Sequence, residues 1–297
     1  MNPVWEAHLA SRAASRRDGV YYLSDPAPFA EKELRYWRMR AREVRLYSDE
    51  VVRRLPYVPP DHPLVSEWAA RAESLSRLVA YVARMQRALT VLDLGCGNGW
   101  LANHLACLPS VHVCGLDLNR RELAQGARVF VDNLRLKFLY ADVFSAEAPE
   151  RSFDLIVLAS VVQYFPDPAA LVRRLTALLV PGGELHILDS PLYAPAEVAA
   201  AQARTRAYYL SKGLREMTAE YHHHALPVLA PFQPVFLYNP RAWWNRVARK
   251  VGVSQGRSPF PWIRLTPTPD PSPSPGITPG EGEGWPPGRG GGEAIED

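Results

Sequence analysis

The chain has 297 residues, 47% of them hydrophobic and 22% charged, enough to bury a sizeable core. No apolar stretch approaches the ~20 residues needed to cross a bilayer. Residues Met1 to His8 lack the apolar core of a secretory signal, and the three cysteines, Cys96, Cys107 and Cys114, share no metal-ligand spacing. These features argue against membrane-spanning, disulfide-stapled and zinc-stapled classes, and a cytoplasmic protein with reduced, buried thiols is expected.

The formal net charge of +3 hides an asymmetry. From Thr266 the chain turns to alternating prolines, then to glycine and glutamate. That tail holds six acidic residues against Arg289, a net −5, which leaves +8 on the body. Residues 266–297 cannot bury enough apolar surface to offset ordering and are expected to be a disordered Pro/Gly-rich acidic tail. A moderately basic body suits an anionic substrate or a membrane surface, and the pointer is weak.

Residues 1–88 read as a helical N-terminal cap. One helix is expected over Ala30 to Leu55, carrying Arg35, Arg38, Arg42 and Arg45 along one stripe. Such a row is able to face phosphates, but the interspersed Glu31, Glu33 and Glu43 make a solvated face the commoner outcome. The aromatics of this region, among them Tyr36, Trp37 and Tyr47, either line a pocket beneath a helical lid or form the lid's own core. A second helix follows from Leu64, Trp68, Leu75, Leu78, Val82 and Met85, which recur at three- and four-residue steps.

Val91 to Leu101 is the most informative run. Val91, Leu92 and Leu94 form a short apolar strand interrupted by Asp93; Gly95, Gly97 and Gly99 alternate after it, and a helical pattern follows. Glycines there let backbone approach a ligand, and the new helix supplies free N–H donors. A dinucleotide turn requires G-x-G-x-x-G, and Trp100 occupies the third glycine's place, which argues against a pyrophosphate. Val111 to Leu116 is a second strand ending in Asp117, at the spacing of a ribose-binding carboxylate. The plainer alternative is that Asp117 N-caps the helix Arg120–Phe130. Further strands are expected at Leu136–Tyr140, Phe153–Ala159 and Glu184–Leu188, with a helix capped by Asp167 before the last. Strand–helix repetition argues a parallel sheet with right-handed crossovers.

In its glycine run and the order of these segments the sequence resembles the class I S-adenosylmethionine-dependent methyltransferases. The resemblance implies an α/β fold: a Rossmann-like, seven-stranded, mostly parallel sheet with helices on both faces, spanning residues 89–265. It implies S-adenosyl-L-methionine as cofactor. Asp93, Gly95, Gly97 and Gly99 would then face its amino-acid part and Asp117 its ribose. Leu118, Asp142 and Val143 would lie beside the adenine, and Ala159 and Ser160 would wall the reaction centre. The implied activity is methyl transfer to an oxygen or nitrogen of a small-molecule acceptor.

Substrate choice is expected in an insertion at about 190–235, beyond the fifth strand. It contains a helix over Ala196–Lys212 and the triplet His222-His223-His224. In an extended segment His222 and His224 share a face and His223 points away. No ligand set completes a metal site, so no metal is expected. His222 and His224 are either a plain surface or hydrogen-bonding cluster or candidate general bases, and Tyr193, Tyr221 and Asp189 are further candidates for proton handling or substrate positioning. Late strands are expected at Phe236–Tyr238 and Phe260–Leu265, with a helix over Arg241–Val251 between them. Two other readings stand: a non-catalytic cofactor-binding protein of the same fold, and an RNA methyltransferase, which rests on the arginine stripe alone. Ala159-Ser160-Val161-Val162 stands where the amino-methylating Pro-Pro-aromatic signature would fall, which counts against DNA adenine methylation.

Overall fold

The computed structural model describes residues 3–12, 15–242 and 258–266. In chain order the elements are α1 (Pro3–Ser11), β1 (Arg16–Arg17), β2 (Val20–Tyr22), α2 (Ala30–Arg42), α3 (Asp49–Arg54), α4 (Val65–Arg84), β3 (Leu89–Leu94), α5 (Trp100–Ala106), β4 (Val111–Asp117), α6 (Arg120–Val129) and β5 (Leu136–Tyr140). They continue with β6 (Phe153–Ala159), α7 (Pro168–Leu178), β7 (Leu179–Leu188), β8 (Leu192–Tyr193), α8 (Val198–Ser211), α9 (Met217–Glu220), β9 (His224–Ala225), β10 (Val235–Tyr238) and β11 (Trp262–Leu265).

Every residue of β3 is buried, as a central strand covered on both faces requires. It pairs in parallel with β4 on one side and β6 on the other. The main sheet has nine strands in the order β1-β2-β5-β4-β3-β6-β7-β11-β10. Strands β2 through β7 run parallel, and β11 and β10 close the far edge antiparallel. The helices are held by local chemistry. Asn119 caps α6 by accepting the Glu122 N–H, and Asp167 caps α7 by accepting the Ala170 N–H at 2.9 Å, with Pro168 at the first helical position. Trp68, Leu75, Leu78 and Val82 form the buried face of α4.

The structure corrects the seven-stranded expectation. Seven strands form the unit the sequence implied, and the hairpin β1–β2 adds two more beside β5. The stretch before Leu89 is therefore not only helical. Its Val20 is fully buried, and Trp5 of α1 packs its ring 5.1 Å from that of Phe153. The single helix expected over Ala30–Leu55 is two helices. The chain breaks at Val44, which adopts φ +57°, and restarts at Ser48, whose Oγ accepts the Val51 N–H. Arg45, thrown off the helix by this break, makes a bidentate pair with Glu67 at 2.6 and 2.7 Å. Arg35 pairs with Glu31 and Glu220. The arginine row is shortened to Arg35, Arg38 and Arg42 on α2, and Arg45 leaves it.

Cys96 and Cys114 are buried, whereas Cys107, at the C-terminal end of α5, is exposed, against the expectation for all three. No described helix is long and apolar enough to cross a membrane. The expected helix from Arg241 onward and the acidic tail lie outside the described residues from positions 243 and 267.

Candidate functional site

The C-terminal ends of β3, β4 and β6 converge on the glycine loop, the edge at which open α/β sheets bind ligands. Gly95, Gly97 and Gly99 all have positive φ, at +74°, +53° and +74°. Their roles differ. A Cβ on Gly95 would lie 2.2 Å from Val161 Cγ2, and one on Gly99 would lie 2.3 Å from the Phe138 ring. These two are glycine because the protein's own packing leaves no room. Gly97 lies by the Glu122 carboxylate, and its N–H donates to Asp117 Oδ2 at 2.8 Å.

Asp117 also accepts the Asn119 N–H on Oδ1 at 2.9 Å. Two backbone donors therefore orient it, and the cap of α6 is Asn119, not Asp117. Burial pushes the Asp117 carboxyl up to about 6, and the neighbouring Glu122 adds to the rise. Asp93 lies beneath the loop, 1% exposed, and its Oδ2 has no hydrogen-bond partner. Burial first and the Asp117 charge second push it up to about 7. Three carboxylates thus crowd behind one glycine loop, an arrangement that suits a ligand carrying positive charge and vicinal hydroxyls.

The pH dependence follows with a definite sign. An acid whose carboxyl is raised on folding favours the folded state while protonated, so its contribution is complete below about pH 4 and lost as pH rises through about 7. The melting temperature of the wild type is expected to fall relative to Asp93→Asn between those limits, then to run parallel. Thermal denaturation across pH 4 to 8 measures it; parallel curves throughout would contradict the buried ionisation.

A cavity of about 480 Å³ opens above the loop. Its floor is Gly95 to Asn98 with Ala159 and Ser160, and its walls come from α2, α4, α8 and Tyr221. Helix α2 is tied to both sides of it. Arg40 pairs with Glu122 of α6 at 3.0 Å, Glu33 with Arg120 at 2.7 Å, Arg35 with Glu220 at 2.7 Å, and Glu43 accepts the Tyr208 hydroxyl at 3.0 Å. Tyr36, Tyr164, Tyr221 and Tyr209 form a chain of edge-to-face rings, with centroids 5.7, 5.9 and 6.1 Å apart. Burial pushes Tyr164 up to about 12 and raises the other three as well, so all four are neutral near pH 7. At the ends of β6 and β7, Ser160 and Asp189 hold φ of +58° and +48°. The Ser160 hydroxyl donates to the Asp189 carbonyl at 2.8 Å.

Of the expected cofactor residues, Gly95, Gly97, Ala159 and Ser160 line this cavity, and Asp117 stands directly behind Gly97. Asp93 and Gly99 support the loop from beneath. Leu118, Asp142 and Val143 do not line the cavity. The Asp142 carboxylate accepts the Ser145 hydroxyl at 2.7 Å in its own turn, and the Val143 carbonyl accepts Arg174 Nε at 2.8 Å.

Of the candidate catalytic residues, His222, His224 and Tyr193 are not brought to it either. His222 and His224 do share a face, with rings 6.2 Å apart, but neither lines the cavity. Pairing of β9 with β8 turns His224 inward, where it is 7% exposed. The opposite face is the one that approaches: His223 Nε2 lies 2.8 Å from Thr205 Oγ1, and Thr205 is part of the wall. Tyr193 lines a second, mostly apolar cavity of about 550 Å³ near Pro227 and Phe236. Sequence reasoning missed Arg40 and Glu122. For Glu122 the Asn119-x-x-Glu122 spacing was a usable signal; for Arg40 there was none. Among the described residues no cluster of three or more His, Cys, Asp or Glu could hold a metal.

Residues 91–183 match the model of a methyltransferase domain family. An uncharacterized methyltransferase of Mycobacterium tuberculosis is 34% identical over 99 residues, 33% of this chain and 49% of that protein. The 27-O-demethylrifamycin SV methyltransferase of Amycolatopsis mediterranei is 30% identical over 148 residues, 47% of this chain and 54% of the relative. The chain thus spans about half the length of these relatives. Among solved structures, a provisionally named sarcosine dimethylglycine methyltransferase from Galdieria sulphuraria aligns with TM-score 0.51 at 13% identity, over 79% of this chain and 97% of that one, a likeness of fold. Strand order and glycine loop make a Rossmann-like α/β fold, and within it residues 91–183 are similar to a methyltransferase domain.

Proposed function

We propose that the protein is an S-adenosyl-L-methionine-dependent methyltransferase acting on an oxygen or nitrogen atom of a small-molecule acceptor. The observation that carries this reading is a single cavity with the glycine loop at its floor and a tyrosine wall above it. Its volume is in the range of small-molecule sites. The Amycolatopsis mediterranei relative adds support, since its printed acceptor, 27-O-demethylrifamycin SV, is a small molecule. Of the arginine stripe on which the RNA reading rests, Arg35 and Arg45 are engaged in ion pairs with Glu31, Glu220 and Glu67, while Arg38 and Arg42 remain exposed on α2.

The residues present suit this cofactor. The unpartnered Asp93 Oδ2 and the charges of Asp117 and Glu122 give the loop negative potential for a sulfonium and an ammonium. Asp117, fixed by two N–H donors, keeps accepting capacity for ribose hydroxyls. When bound, the cofactor supplies a methyl group already activated by the sulfonium. What remains for the protein is alignment and exclusion of water. Helix α2 closes the cavity over the loop through Arg40, and the neutral tyrosine hydroxyls offer fixed donors.

S-adenosylhomocysteine is expected to bind by calorimetry. Asp117→Ala, by deleting hydrogen bonds to a charged acceptor, should weaken that binding by about 10- to 100-fold. A protein that binds neither cofactor form, or an unchanged Kd in Asp117→Ala, contradicts the assignment.

A further inference from the structure

Resting on the methyltransferase reading, the geometry points to Asp189 as the group that receives the acceptor's hydroxyl, and to a hydroxylated organic acid as the acceptor. Asp189 lies at the C-terminal end of β7, beside Ser160 at the end of β6, and both line the cavity. Each is a non-glycine residue in the left-handed region, a strained conformation that persists only where surrounding structure imposes it.

The carboxylate is clamped on one side only. Asp189 Oδ1 accepts the Ser74 hydroxyl from α4 at 2.8 Å and the Ser258 hydroxyl, four residues before β11, at 2.7 Å. Both serines are themselves buried, 7% and 2% exposed. Oδ2 makes no hydrogen bond, and the carboxylate has no ion-pair partner among the described residues. Three elements thus fix a carboxylate whose second oxygen is free to accept a proton or hydrogen bond from a bound molecule.

Apart from Gln163 Oε1, a buried acceptor without a partner among the described residues, the remaining unmet groups of the cavity are donors. Arg40 is neutralised by Glu122, and Arg45 and Arg71 together by Glu43 and Glu67. Arg204 has no carboxylate partner, and the hydroxyls of Tyr36, Tyr164 and Tyr221 have no hydrogen-bond partner among the described residues. A molecule that meets Asp189 and these donors donates a hydroxyl to Asp189 and offers a carboxylate to Arg204 and the tyrosines. In the transfer, the acceptor's oxygen–carbon bond forms as the carbon–sulfur bond breaks, the electron pair staying on sulfur. The hydroxyl proton passes to Asp189 Oδ2.

The test is calorimetry on the full chain saturated with S-adenosylhomocysteine. Two probe pairs are titrated: 3,4-dihydroxybenzoate against benzoate, and malate against succinate. In at least one pair the hydroxylated acid is expected to bind about tenfold tighter or more. Asp189→Asn, which retains the shape and the two serine contacts, should erase that difference while leaving S-adenosylhomocysteine affinity unchanged. The Ser74→Ala/Ser258→Ala double variant, which unclamps the carboxylate but keeps its charge, should reduce the preference partly. Arg204→Ala should weaken both members of the pair equally. No hydroxyl preference in either pair, or a preference that survives Asp189→Asn, overturns the assignment. Loss of S-adenosylhomocysteine binding itself would instead overturn the methyltransferase reading.

Discussion

Gly95→Ala is expected to destabilise the protein by about 2–5 kcal/mol, from two sources that can be separated. The residue holds φ +74°, which costs a Cβ-bearing residue roughly 1–2 kcal/mol. The new methyl would also lie 2.2 Å from Val161 Cγ2, so buried Val161 must move, at about 1–3 kcal/mol. Val161→Ala removes the 2.2 Å contact, the larger part of the second source, keeps its own Cβ at 2.9 Å, and leaves the first source untouched. In urea denaturation, the Gly95→Ala/Val161→Ala protein should therefore be more stable than the sum of the single losses allows. Strict additivity would show that the loop absorbs the methyl elsewhere.

Arg40→Ala should cost about 3–5 kcal/mol, a large effect for a residue on a surface helix. Its partner Glu122 is 4% exposed and sits against Gly97, so truncation strands a carboxylate without a counter-charge beside Asp117 and Asp93. The penalty belongs to the orphan more than to the lost bond. Glu122→Gln in the Arg40→Ala background should then recover most of the loss, although it restores no ion pair. A double variant as unstable as Arg40→Ala alone would mean that α2 is held chiefly by its other ties, Glu33 to Arg120 and Arg35 to Glu220.

The central sheet was legible because its signals are local. Strand β3 reads from its apolar run, the turn from its three glycines, and α7 from Asp167 followed by Pro168. Strand β2 was not legible. Val20-Tyr21-Tyr22 is too short to show alternation, and its partner β5 lies more than a hundred residues away. The break between α2 and α3 was hidden for a similar reason: Val44 is an improbable residue for positive φ, and the pull on Arg45 comes from Glu67. For the histidine triplet, alternation was read correctly and the face was not. Only the pairing of β9 with β8 decides which side meets the core. The cavity walls, gathered from α2, α4 and α8, have no counterpart in any single stretch of sequence.

Trp5 and Val20 bury against Phe153 and Phe138. On a ribosome these two residues are made long before their partners, and their apolar surface stays in water until β5 and β6 exist. Helix α2, strung between that hairpin and α3, finds its partners on α6 earlier, but the hairpin that anchors its N-terminal side docks only then. Completion of the cavity wall therefore waits on that long-range docking. Substitutions at Trp5 or Val20 should lengthen the interval during which a folded core exists without a finished site.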